Sequence, residues 1–198
     1  KNIPTWRSTS NALEGKAAEF NHALLPLDEL GQADPQTVGA SAYMLGNGQG
    51  KSRMAKTLST IKPKTWQLLF LSTGEDHMVD YLRQAKISVK GGMEARMPSL
   101  PADAGKGFGA FEELHDHESP EEFVKSLETA IKKYQGTALD EYLTKLVEAR
   151  KVENFDKDLR DRVHDIARKL SKQFNDSMIG RVAVRFALIQ VGLEVAHS

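Results

Sequence analysis

Ala23-Leu24-Leu25-Pro26-Leu27-Asp28-Glu29-Leu30 decides how the chain is read: an apolar run of strand length ends in two adjacent carboxylates. A strand of a parallel sheet is covered on both faces and reads as such an unbroken run. In open α/β sheets ligands bind beyond the carboxyl ends of the strands, where Asp28 and Glu29 would lie. Two acids there can divide the work. One holds a metal ion, usually through water; the other orients or activates a water molecule. This is the pattern of a Walker B segment in a nucleoside triphosphatase. It also arises wherever a strand runs into a polar loop. Pro26 counts against a central strand, because it has no N–H for the ladder.

Downstream, a helix is expected from Pro35 to Leu45, with proline at its first position and Gly46 past its end. Gly46-Asn47-Gly48-Gln49-Gly50-Lys51-Ser52 invites comparison with a phosphate-binding loop. That loop needs glycine, four residues, then Gly-Lys-Ser/Thr between a strand and a helix. Here Leu45 occupies the first glycine position and a helix precedes the stretch, so a turn is the better reading. From Pro35 to Gly74 there is no acid, but there are Lys51, Arg53, Lys56, Lys62 and Lys64. Such a segment can displace counterions from a nucleic acid or form a solvated loop; a short hairpin over 51–62 suits either.

Trp66-Gln67-Leu68-Leu69-Phe70-Leu71 reads as a second buried strand running into Ser72-Thr73-Gly74-Glu75. The hydroxyls belong at the active edge of an α/β sheet, or they cap the next helix, expected over Asp76–Ala85, as Asp76 also could. Gly91-Gly92 breaks the chain. Met93–Leu100 is a third strand candidate, with Arg96 inside it and Pro98 at its edge or end. Upstream, residues 1–9 read as a connector, and Ser10 or Asn11 caps a helix over Ala12–Phe20.

The second half reads differently. Residues 103–109 are glycine-rich and loop-like, and His115-Asp116-His117 reads as a surface loop rather than a metal site. Ser119-Pro120-Glu121-Glu122 is a helix start. Helices are expected over 120–134, 137–150, 155–175 and 177–196, each with apolar residues at threes and fours. The last, apolar almost all round, is expected to be buried. Its Arg181 and Arg185 then need anionic partners or a route to the surface.

The 198 residues are 40% hydrophobic and 27% charged, with 27 basic and 27 acidic residues. One soluble domain, or one with a helical appendage, fits. Balanced charge names no partner. The absence of cysteine excludes disulfides, thiolate metal sites and a cysteine nucleophile. No apolar run has membrane-spanning length, and a cytoplasmic setting fits. A start at Lys1, in polar sequence without methionine, suggests a piece of something longer.

Together, Trp6-Arg7-Ser8-Thr9-Ser10-Asn11-Ala12-Leu13-Glu14, Leu25-Pro26-Leu27-Asp28-Glu29, Tyr43-Met44-Leu45-Gly46-Asn47-Gly48 with Gly50-Lys51, Leu71-Ser72-Thr73-Gly74-Glu75 and Arg185-Phe186-Ala187-Leu188 resemble the bacterial domain-of-unknown-function family 927. The resemblance extends over essentially the whole chain. That family occurs in plasmid, phage and genomic-island proteins, often beside primase-like modules, and is similar to AAA+ ATPases, among them the MCM-like helicases. The resemblance implies an α/β fold: a truncated AAA+ parallel-sheet core over 1–118 and an all-helical lid over 119–198. It implies Asp28 as the water-mediated Mg²⁺ residue, Glu29 as the residue that activates water, and Ser72 or Thr73 as the sensor. The segment containing Lys51, Arg53, Lys56, Lys62 and Lys64 falls where such helicases carry a DNA-contacting hairpin. Arg96 corresponds to an arginine finger, and Arg185, with Arg181 second, to the lid-domain sensor. ATP, DNA and a homo-oligomeric ring, with a hexamer in view, are the implied partners, in the bacterial cytoplasm.

One departure matters. These residues contain no strand–glycine loop–Lys-Ser/Thr–helix. The expectation is a helicase or translocase fragment that binds ATP weakly or not at all and is silent alone, with ATP and Mg²⁺ belonging to the parent protein. A DNA-binding module without chemistry, and a helical protein-interaction domain, stand as alternatives.

Overall fold

The computed structural model describes residues 3–54, 60–172, 174 and 177–197. Its contacts divide the chain into two units, Lys1–Ser99 and Leu100–Ser198. The molecule mixes helix and strand, is mostly helical, and carries one small parallel sheet. No helix among the described residues is long and apolar enough to cross a membrane.

In the first unit, β1 (Leu24–Leu27) pairs in parallel with β4 (Leu69–Ser72), Leu24 opposite Leu69 and Leu27 opposite Ser72. On β1's other side the amide of Trp6 donates to Asp28 O and the amide of Asp28 to Pro4 O. Successive strand residues turn their N–H groups to opposite sides. Pro26 therefore shares the Asp28 side, away from β4, and the ladder with β4 loses no donor. Leu25 and Leu27 are buried, whereas Leu24 and Leu71 are 52% and 58% exposed. The sheet thus has one face in the core.

That core is closed by α1 (Ser10–Glu19) and α2 (Pro35–Asn47), through Leu13 and Ala17 of the first and Val38, Ala42 and Leu45 of the second. The cap of α1 is Thr9, whose hydroxyl accepts from the Ala12 amide at 3.2 Å, rather than Ser10 or Asn11. α2 starts on the Asp34 side chain with Pro35 in its first turn, but runs past Gly46 to end at Gly48, which is left-handed (φ +71). Within the helix Gly46 leaves room for Arg96: a Cβ there would sit 3.0 Å from the arginine Cγ and Cδ.

After α2 the chain forms a hairpin, with β2 (Arg53–Met54) antiparallel to β3 (Thr60–Ile61) and a bridge between Gln49 and Thr65 at its base. Trp66, expected to open the second strand, instead closes this base. Its amide donates to Gly48 O and its indole to Leu45 O, and the parallel ladder begins at Leu69.

Two further expectations change in this unit. α3 (Met78–Gln84) starts at His77, so Ser72, Thr73 and Asp76 are not its cap. The expected third strand over 93–100 is absent. Gly91–Glu94 is a single helical turn, α4, and the amides of Arg96 and Met97 donate back to Met93 O. Met93 and Met97, four apart, both pack on the core side; that spacing suits a strand or a helical turn, and the bonds to Met93 O decide for the turn.

The second unit contains the four expected helices: α5 (Pro120–Lys133), α6 (Thr137–Ala149), α7 (Phe155–Ser171) and α8 (Ser177–His197). The start of α5 was legible because serine, proline and acids cluster there; the other three follow from apolar residues at threes and fours. The Ser119 hydroxyl accepts from the Glu122 amide and the Glu122 carboxylate from the Glu118 amide, a reciprocal cap. α7 and α8 pack through Ile166, Ala167, Ala183, Ala187 and Val191. α8 is not buried all round. Ala183, Ala187 and Val191, every fourth residue, meet α7, while Val184, Leu188 and Leu193 on other faces are 45%, 50% and 63% exposed. Arg162 grips Glu194 with two hydrogen bonds of 3.1 and 3.0 Å. With Gln190, it holds that carboxyl below its ordinary range.

Candidate functional site

The carboxyl ends of β1 and β4 meet at Thr73. This one residue makes four hydrogen bonds to four consecutive residues. Its amide donates to Leu27 O at 3.1 Å and its carbonyl accepts from the Leu30 amide at 2.9 Å. Its hydroxyl donates to Asp28 Oδ1 at 2.7 Å and accepts from the Glu29 amide at 3.0 Å. A hydroxyl can do both, being donor and acceptor at once. The bonds hold Glu29 in the left-handed region (φ +55), which non-glycine residues rarely adopt. Glu29 Oε1 then accepts from the Gly31 amide at 3.1 Å and starts a short 3₁₀ turn.

Ser72 is tied to the other flank of the sheet. Its hydroxyl accepts from the Trp6 indole at 2.9 Å. Trp6 is buried, so the sequence stretch read as a connector in fact supplies a sheet partner and a core residue. A tryptophan among polar residues was the signal available.

Asp28 and Thr73 are exposed and Glu29 and Ser72 half-buried. No three acidic or histidine side chains gather to hold a metal among the described residues. One Asp28 oxygen is taken by Thr73, and the other is open to water. That suits an ion held largely through its own waters, as Mg²⁺ prefers, and not a fully ligated one.

The remaining sequence-predicted residues belong to other elements. Arg96 is engaged at the end of α2. Its Nε donates to Asn47 Oδ1 at 3.0 Å, its Nη1 to Gly92 O at 2.8 Å, and its guanidinium lies 4.7 Å from the Tyr43 ring centre. A cation at a helix carboxyl end is stabilised by the helix dipole, so Arg96 is accounted for within its own unit. Arg181 and Arg185 are on α8 in the second unit, the first exposed and the second half-buried. Lys51, Lys62 and Lys64 are exposed along the hairpin. Arg53 is the first residue of β2, and Lys56 lies outside the described residues. The Gly46–Ser52 stretch joins a helix to this hairpin, not a strand to a helix. His115 and His117 face the Phe123 ring, with centroids 5.6 and 5.1 Å away.

The Thr73 hydroxyl can be tested alone. Thr73→Val should lower stability by about 1 kcal/mol, and Thr73→Ser should restore most of it. Urea unfolding followed by tryptophan fluorescence reads this directly. Thr73→Ser keeps the hydroxyl and loses only a methyl, so a loss equal to that of Thr73→Val would show that the two hydroxyl bonds are not what stabilises the edge.

A family model described as a domain of unknown function (DUF927) matches residues 2–66. The chain is similar to that family over the stretch carrying Trp6, β1, both carboxylates, α2 and the hairpin. The match is narrower than the whole-chain resemblance and stops before Thr73. No curated protein and no solved structure matches the chain.

Proposed function

We propose that the first unit is the carboxylate-and-sensor edge of an AAA+-type, MCM-like ATPase that moves along DNA, in proteins of plasmids, phages or genomic islands. The observation that carries this reading is the Thr73 hydroxyl set between Asp28 and the Glu29 amide, across adjacent parallel strands. A residue that senses a terminal phosphate must stand beside the carboxylate that fixes the metal, and adjacent strand ends provide that spacing. Asp28 would hold a magnesium ion through its waters, and the ion would supply positive charge to neutralise phosphate. Glu29 releases the Gly31 amide to accept a proton from water, and Thr73 with Ser72 registers the phosphate. The hairpin meets DNA, the helices of the second unit act as the lid bearing Arg185 and Arg181, and subunits form a ring in which Arg96 would have to leave Asn47 to reach a neighbour.

Since these residues hold no phosphate-binding loop, the chain alone should bind Mg-ATP weakly, with a dissociation constant on the order of 1 mM, and not turn it over. Calorimetric titration with Mg-ATP and with ATP in EDTA tests this. Binding that needs magnesium and disappears in Asp28→Ala supports the reading; no magnesium-dependent binding overturns it. Turnover lost in Glu29→Gln would replace the silent fragment by a complete enzyme.

The acid-free stretch from Pro35 to Gly74, with lysines exposed on an antiparallel hairpin, favours a second reading: a DNA-binding module without chemistry. Affinity should then fall steeply with salt and in Lys62→Glu/Lys64→Glu, whatever becomes of Asp28→Ala.

A further inference from the structure

α5 is an amphipathic helix whose apolar stripe is uncovered. Val124, Leu127 and Ile131, with Tyr134 on the next turn, are 39%, 39%, 65% and 59% exposed, and no residue of α5 is buried. Their spacing of three, four and three is that of a coiled-coil seam. A helix of 14 residues is marginal in water without tertiary packing. Phe123, against Phe111, His115 and His117, tethers only its first turn.

Charge indicates what covers the stripe. Glu121 and Glu122 occupy the first turn of α5, and Lys132 and Lys133 the last. A second α5 laid antiparallel brings acids to lysines at both ends and opposes the two helix dipoles. A parallel copy sets like charges together. The antiparallel register with Val124 opposite Ile131 of the other copy also sets Glu122 opposite Lys133, and leaves the two Leu127 side chains within one residue of each other about the two-fold axis. The patch is complementary to itself, as a two-fold interface requires.

We propose that two copies of this chain associate through antiparallel α5 helices. At 1.5 Å per residue the seam is about 21 Å long, and it falls short of the roughly 1,200 Å² of a standard interface. The dimer is therefore weak and reversible. The exposed Leu139, Leu143 and Val147 of α6 lie on the next helix and can extend it. This pairing is independent of the nucleotide reading.

Sedimentation velocity of the 198-residue chain up to about 500 µM, a range that reveals weak association, is the test. The wild type should show a concentration-dependent dimer, and Leu127→Asp and Ile131→Asp should weaken it at least about tenfold. Lys132→Glu/Lys133→Glu and Glu121→Lys/Glu122→Lys should each fail to dimerise alone but pair when mixed. Both Asp substitutions are at exposed positions, and circular dichroism of the diluted monomer checks that the fold persists. A strictly monomeric wild type, a dimer indifferent to Leu127→Asp, or charge variants that do not pair when mixed would overturn the proposal. So would a monomer that instead binds phosphatidylserine–phosphatidylcholine vesicles through Leu127.

Discussion

Gly48→Val should destabilise the first unit by on the order of 3 kcal/mol. Two causes add. Gly48 is left-handed (φ +71), where a β-branched side chain clashes with its own backbone. Any Cβ there would also lie 2.6 Å from the carbonyl oxygen of Trp66. That oxygen is backbone and cannot swing aside as a side chain would. Relief requires moving Trp66, whose amide and indole are bonded to Gly48 O and Leu45 O, so the hairpin base and the core yield together. Both tryptophans of the chain, Trp6 and Trp66, lie in residues 1–99, so fluorescence in urea follows this unit alone. An unchanged midpoint would show that the turn can be rebuilt, and the close approach would lose its significance.

Leu27→Ala should cost about 3–5 kcal/mol, the usual range for a leucine removed from a closed core, whereas Leu24→Ala and Leu71→Ala should stay within about 0.5 kcal/mol. The four residues of β1 are apolar alike, yet Leu27 is 1% exposed and Leu24 52%. Strand alternation turns Leu25 and Leu27 into the core and leaves Leu24 with Leu71 on the open face. The same fluorescence experiment measures the contrast. A comparable loss for Leu24→Ala would mean that the open face is covered in solution.

What could be read from the sequence was whatever has a local cause. β1 and its two carboxylates are written in an apolar run that ends in acids, the start of α5 in serine, proline and acids, and the other late helices in apolar periodicity; the hairpin was expected without a turn residue to fix it. What could not be read depends on distant partners. The segment after Gly91 carries methionines that suit a strand or a turn; Met93 against the core and Arg96 across Tyr43 and Asn47 decide for the turn. Trp66 was apolar enough for a strand but is committed to the end of α2. α8 looked buried because every face is apolar, and only packing shows that one stripe, Ala183, Ala187 and Val191, is buried against α7. At the site itself, the residue types at both strand ends were legible. The bond between them joins residues 28 and 73, a separation no local pattern reports.

The Thr73 junction also has a consequence in time. The amides of Glu29, Leu30 and Thr73 each donate to an acceptor on the opposite strand end, so none can exchange its hydrogen with solvent unless that cross-link opens. Exchange from this exposed edge is then slow and concerted, three amides released by one opening event rather than one by one. A surface loop so held keeps the clock of the interior.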